Sequence, residues 1–355
     1  MPPLIKHLYT ADPSAHVFRG TMYIYPSHDR ETDVGSNDNG DQYDMADYHV
    51  FSTAGPLDDP SPAVTDHGVV LRSEDVPWAS RQLWAPDAAH KAGVYYLFFP
   101  ARDKADMFRI GVATADRPEG PFQAEPEPIA GSFSIDPAVF VDDDDDAGGE
   151  AYLYFGGLWG GQLQCYQGGD RGPASFDKAW LGPQEPAGAG TRALGLRVGR
   201  LRPDMRQFAP ATGGAPALDG LDVREVMILA PKTGEPLAAD DHDRRFFEAA
   251  WVHKRRGIYY LSYSTGDTHY LCYATGKSPY GPFTYGGRIL GPVLGWTTHH
   301  SIVEFDRRWW LFYHDCELSG GVDHLRSVKV KEIFYDDEGG MMPVKQDCFS
   351  VALTD

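Results

Sequence analysis

Cysteine is scarce, with Cys165, Cys272, Cys316 and Cys348 the only four in 355 residues and no C-x-x-C pair among them. That spacing disfavours a structural zinc or a disulfide framework and fits free, mostly buried thiols in a reducing compartment. Basic residues are also few: 32 Lys and Arg stand against 51 Asp and Glu, a formal net charge of −19. With no run of Lys or Arg to offset that surplus, phosphate backbones are repelled and nucleic acid is excluded as a partner. No stretch reaches the roughly 18 consecutive apolar residues that cross a bilayer, so no membrane partner is expected. The opening Met1-Pro2-Pro3-Leu4-Ile5-Lys6-His7 lacks a basic head followed by an apolar segment. The expected location is therefore cytoplasmic, although a trimmed periplasmic or secreted chain would read the same. Helical periodicity is missing too.

Aromatics, glycine and proline are plentiful: 19 Tyr, 18 Phe, 8 Trp, 39 Gly and 27 Pro. So many aromatics can bury a large core, and the Gly and Pro punctuate it into short strands. One pattern recurs, as Tyr23-Ile24-Tyr25, Tyr95-Tyr96-Leu97-Phe98-Phe99, Tyr152-Leu153-Tyr154-Phe155, Tyr259-Tyr260-Leu261-Ser262-Tyr263 and Trp309-Trp310-Leu311-Phe312-Tyr313. Each copy reads as a buried strand. Each follows a second short segment and a polar hairpin, the segments beginning at Asp12, Ala85, Asp136, Glu248 and His299. A third element repeats as Thr114–Phe122 and Thr275–Phe283, where Pro and Gly at fixed offsets make a tight turn. Five repeats of several strands predict an all-β fold, a five-bladed β-propeller spanning 1–355 as one catalytic domain. A two-sheet sandwich is the structural alternative. The long interval between the third and fourth copies holds an insertion at about 157–247. It reads as loops around one or two strands such as Leu196–Leu201, either forming a binding rim or passive.

The first strand of each propeller blade lines the central axis, so equivalent residues of different blades converge. Here that position gathers Asp12, Asp136, Glu248 and His299. Clustered carboxylates repel, so at least one should keep its proton near neutral pH, and convergent titratable groups mark sites. Two carboxyl groups of split pKa are what glycosidic hydrolysis needs, one as acid and one as base. The run Asp142–Asp146 lacks the alternating ligands and the Gly of an EF-hand loop and reads as a solvated turn.

At these residues the sequence resembles glycoside hydrolase family 43. The motifs are Thr10-Ala11-Asp12-Pro13-Ser14, Trp84-Ala85-Pro86-Asp87, Ser134-Ile135-Asp136-Pro137, Phe247-Glu248-Ala249-Ala250-Trp251 and Thr298-His299-His300-Ser301. The resemblance covers about residues 4–340 and implies an inverting enzyme on pentose-rich plant polysaccharides. By motif, Asp12 is similar to the family's general base and Glu248 to its general acid. Asp136 is similar to the residue that raises the acid's pKa and orients it. His299 resembles the axial histidine that contacts a calcium ion, with His300 one residue away as the alternative. Trp84 is expected to stack on a sugar face or to serve as core. His28 and Asp29 are expected to bind sugar hydroxyls or to form a loop salt bridge. Arg326 matches a family arginine that points into the pocket, a surface ion pair being the alternative.

The resemblance implies an exo-acting β-xylosidase, an α-L-arabinofuranosidase or both, on xylo-oligosaccharides or arabinose-substituted oligosaccharides. An endo-arabinanase would need an open groove. A non-catalytic carbohydrate-binding propeller would predict loss of a carboxylate. A retaining fructosidase-type propeller would carry an Asn-Asp-Pro-Asn-Gly opening and a Glu-Cys motif, neither of which is found at Asp12 or Glu248.

Overall fold

The computed structural model describes residues 2–59, 62–142, 149–166, 175–188, 190–212, 218–296 and 298–345. Five sheets, antiparallel but for the outermost strand of the fourth, follow one another along the chain. Blade 1 holds β1 (Thr10–Phe18), β2 (Thr21–His28), β3 (Asp47–Thr53) and β4 (Thr65–Arg72) in that order. Blade 2 holds β5 (Ala79–Arg81), β6 (Asp87–Lys91), β7 (Val94–Asp103), β8 (Phe108–Ala115) and β9 (Gln123–Ala124), with β5 and β6 both pairing with β7. Blade 3 holds β10 (Ala138–Asp142), β11 (Glu150–Phe155), β12 (Arg197–Arg200) and β13 (Val223–Glu225). Blade 4 holds β14 (Ile228–Leu229), β15 (Glu248–Arg255), β16 (Ile258–Ser264), β17 (Leu271–Gly276) and β18 (Phe283–Leu290), ordered outward from β15 to β18 and then β14. Blade 5 holds β19 (His300–Phe305), β20 (Arg308–Asp315) and β21 (Ser327–Ile333).

The first strands form a ring: β1 lies against β6 and β19, β10 against β6 and β15, and β15 against β19. The aromatic repeats occupy the second strands β2, β7, β11, β16 and β20. These are sandwiched between neighbouring blades on both faces, which is why they read as continuous apolar runs rather than alternating ones. Apolar clusters fill the spaces between blades 1 and 2, blades 4 and 5, blades 5 and 1, and across blades 2 to 4. The ring is closed by the N-terminal segment. Leu4 N–H bonds the Val328 carbonyl at 2.7 Å and Thr10 N–H the Arg326 carbonyl at 2.9 Å, while Leu4 and Ile5 bury against Trp310 and Phe312.

The insertion is chiefly structural. It supplies the outer strands β12 and β13 of blade 3 and the outermost strand β14 of blade 4, which pairs parallel with β18. Its Leu196, Val198, Phe208 and Val226 belong to the main core. The repeated Pro-Gly elements are the turns from β8 to β9 and from β17 to β18, and Gly120-Pro121 and Gly281-Pro282 are both cis. Of the acidic run, Asp142 pairs with Lys254 at 2.8 Å. Asp143–Asp146 lie outside the described residues, as does Cys348. Cys165, Cys272 and Cys316 are buried free thiols.

Candidate active site

A cavity of about 750 Å³ opens at one end of the axis, lined by Asp12, Asp136, Glu248, His299 and Arg326 together with Trp84, Trp159 and Trp296. The backbone explains how the carboxylates get there. In β1, Ala11 pairs with Ser27 and Ser14 with Tyr25, so Asp12 and Pro13 form a bulge opposite one residue. In β15, Glu248 pairs with Ser264 and Trp251 with Ser262, so Ala249 and Ala250 bulge in the same way. In blade 3 the Ile135 carbonyl bonds Gly156 N–H at 2.7 Å and Ala138 pairs with Tyr154, which puts the bulge at Asp136 and Pro137. The first bulge residue is left-handed in all three: Asp12 at φ 49°, Asp136 at φ 56° and Ala249 at φ 61°. Strain of this kind clusters at functional sites, and bulges re-aim side chains.

The register corrects one detail of the sequence alignment. Glu248 stands one residue before its bulge, in the place that Ala11 has in blade 1, and is not equivalent to Asp12 and Asp136. Asp87 does occupy the small third position, pairing with Phe98 as Ser14 pairs with Tyr25. Its buried carboxylate ties the inner strands together, accepting from Ser14 Oγ at 2.5 Å and Val139 N–H at 2.5 Å, with His16 Nε2 at 2.7 Å.

The carboxyl groups sit in opposite electrostatic settings. Burial pushes the Asp12 carboxyl up, but Arg326, His314, His299 and the Ser27 hydroxyl together outweigh it and hold the group down at about 2. Ser27 Oγ donates to Asp12 Oδ2 at 2.6 Å and Arg326 to Asp12 Oδ1 at 3.1 Å. Asp12 N–H donates to His314 Nδ1 at 3.0 Å. Among the described residues Asp136 has no arginine in contact, and the charge of Arg326 acts on it only from a distance. Burial and the neighbouring charge of Glu248 push it well above the usual carboxylate range, against one hydrogen bond from Ala249 N–H at 2.7 Å. Glu248 is the most open of the three, partly exposed where Asp12 and Asp136 are buried. Gly157 packs on it: a methyl there would lie 3.3 Å from Glu248 Cβ and 2.6 Å from the Ile135 side chain.

His299, not His300, faces the cavity. Its Nδ1 lies 3.9 Å from both Asp12 Oδ1 and Asp136 Oδ1, and burial holds the ring below the ordinary histidine pKa, hence neutral. His300 is fully buried beside blade 4, within 2.6 Å of Ser262 Oγ. Trp84 lines the cavity with its indole N–H fixed on the Tyr43 carbonyl at 2.9 Å and its ring packed on Phe108. Gly40, at φ 72°, lets the loop after β2 close onto that ring, because a methyl would fall 2.5 Å from it. Two sequence-predicted residues are set back. Asp29 forms a buried fork with Arg326, at 2.8 and 2.9 Å, so it positions the arginine rather than lining the cavity. His28 pairs with Asp47 Oδ1 at 2.7 Å and also does not line it.

Other lining residues went unread in the sequence. Trp159 stacks on Trp296 at 5.6 Å, and Asp323 joins Tyr43 Oη at 2.7 Å to Trp296 N–H at 3.1 Å, closing the rim between blades 1 and 5. Trp159 follows the third aromatic strand as His28 and Asp29 follow the first. Applying that position to blade 3 would have found it.

Comparisons with known proteins agree with this geometry. The family model for glycosyl hydrolases family 43 matches residues 64–171. The chain is 71% identical over 98% of its length, and 100% of the relative's, to xylosidase/arabinosidase 43A of Humicola insolens. It is 52% identical to a xylosidase/arabinosidase of Bacteroides ovatus, over 96% of this chain and 97% of that one. A beta-xylosidase/alpha-arabinofuranosidase from a compost microbial metagenome, solved with xylotriose in a calcium-free form, superposes at TM-score 0.88 with 53% identity, covering 97% of both chains. A GH43_1 enzyme from Xanthomonas citri complexed with xylotriose superposes at 0.84 with 54% identity, covering 97% of this chain and 93% of that one.

Proposed function

The chain belongs to glycoside hydrolase family 43, and from that membership we propose that it is an inverting, exo-acting β-xylosidase and α-L-arabinofuranosidase. The observation that carries the reading is one cavity holding a carboxylate that Arg326 keeps ionised and, beside Glu248, a second carboxyl group, Asp136, pushed well above the usual carboxylate range. Asp12, ionised throughout the neutral range, takes a proton from the water that attacks the anomeric carbon. Asp136 and Glu248 titrate as a pair, because the charge of each opposes ionisation of the other. Glu248, the more open member, delivers the pair's proton to the leaving oxygen, and Asp136, anchored on Ala249 N–H, keeps it available. Water adds on the face opposite the departing group, so the anomeric configuration inverts. Arg326 spans Asp12 and Asp29 and fixes the base in its charged form.

Trp84, Trp159 and Trp296 give the walls aromatic faces that suit the C–H faces of a pentose. The walls come from the loop after β2, the start of the insertion, the loop between β18 and β19 and the loop after β20, which supports a pocket for a chain end over an open groove. Calcium is the ion we assign to the axis. The neutral His299 imidazole, with Asp12, Asp136 and Asp87 around it, fits a hard cation whose shell is mostly water. When bound it supplies positive charge beside the carboxylates. A proton NMR time course of 4-nitrophenyl β-xyloside hydrolysis should show α-xylose as the first product. First-formed β-xylose would refute the inverting mechanism.

A further inference from the structure

Away from the cavity, one group among the described residues gathers three metal-ligand atoms within 4.8 Å of one another: His28, Asp47 and His49. His28 ends β2, and Asp47 and His49 lie in β3 beside it. The three side chains are only 17%, 20% and 13% exposed. Asp66, on β4, lies 3.0 Å from His49 Nδ1 and is itself held by Gly68 N–H at 2.8 Å. A carboxylate at that position fixes the tautomer with the proton on Nδ1, leaving the Nε2 lone pair turned toward Asp47. His49 Nε2 and Asp47 Oδ1 then face each other, both electron-rich, across 3.9 Å. Zinc binds imidazole nitrogen at about 2.0–2.1 Å and carboxylate oxygen at about 2.0–2.2 Å, so a gap of this width admits an ion between them. His28, whose Nδ1 is 2.7 Å from the same oxygen, supplies the third ligand.

We propose that His28, Asp47 and His49 form a binding site for a borderline divalent metal of the zinc class, with water as fourth ligand and Asp66 as the outer carboxylate. Two imidazoles and one carboxylate favour such an ion over calcium, which prefers an all-oxygen shell. On metal entry His28 binds through Nδ1, and the proton that Nδ1 held against Asp47 passes to Nε2 of the same ring. The bound ion would fasten the end of β2, whose next residue Asp29 carries Arg326 and whose Ser27 bonds Asp12.

The test is calorimetric titration of the metal-free full chain with Zn²⁺, in excess Ca²⁺ so that the axis is saturated. One equivalent should bind. Affinity should fall at least about 10-fold in each of His28→Gln, Asp47→Asn and His49→Gln, and about 10–100-fold in Asp66→Asn. It should be unchanged in His299→Ala. Thermal unfolding in chelator identifies any variant that fails to fold, and the remaining variants decide. No saturable binding to the wild-type chain, or equal affinity in the folded ligand variants, would overturn the proposal.

Discussion

Arg326 illustrates what a single side chain does in this site. Its guanidinium reaches Asp12 on one side and Asp29 on the other, and its face lies 4.9 Å from the Tyr43 ring. Lysine keeps the charge but cannot make the planar fork. Arg326→Lys should therefore raise the pKa of Asp12, moving the acid limb of the kcat/KM profile to higher pH. Losing one charge-assisted hydrogen bond of about 1.5–3 kcal/mol should lower kcat/KM roughly 10–100-fold at neutral pH. Asp136 runs the other way. Its folded pKa lies above its unfolded value, so the native state loses stability as pH rises through that range. Asp136→Asn keeps an acceptor for Ala249 N–H and removes the buried charge. It should raise Tm at neutral pH while lowering kcat by about 10²-fold or more, measured by thermal scanning and 4-nitrophenyl β-xyloside turnover. The sequence exposed Asp12, Asp136 and Glu248 because they recur beside a repeated strand. It could not expose Ser27, which reaches Asp12 from the neighbouring strand, or His314, Tyr43 and Asp323, whose roles come from contacts between blades distant in the chain.

At the scale of the element, the bulges do what strand pattern alone cannot. Regular alternation would let only every second residue face the axis, and Glu248 sits one position away from where Asp12 and Asp136 stand. The bulge absorbs that offset. Phe247, immediately before Glu248, is braced by the turn after β16: Gly266 at φ 75° has room only because it lacks a side chain against the Phe247 ring. Gly266→Ala should cost about 1–3 kcal/mol from overpacking and backbone strain. It should also lower kcat by displacing Phe247, with the Tm shift and kcat loss restored together by Phe247→Leu. The insertion shows why length between repeats misleads. Among its described residues only Leu158–Gly161 at its start and Phe247 at its end touch the cavity, while its body completes two blades.

The whole molecule is a ring, and a ring must close. Among the described residues blade 5 has three strands of its own, and the N-terminal segment runs along β21 with Ile5 buried to 2% exposure. Ile5→Ala, far from the cavity, should lower stability by about 2–5 kcal/mol. A urea midpoint that falls with an unchanged slope would show the ring still unfolding as one unit. The repeats, the five blades and three carboxylates were legible in the sequence because each blade is a local unit with its own strand and turn chemistry. The sequence likewise carried Arg326 as a pocket residue. Tertiary structure alone decided which histidine faces the axis, that Asp29 serves Arg326 and that His28 stands with Asp47 and His49. It also decided that the cavity is walled by tryptophans of three blades. Those outcomes depend on how strands and blades meet, from neighbouring strands of blade 1 to segments nearly three hundred residues apart at Asp29 and Arg326, and such contacts leave no local periodicity to read.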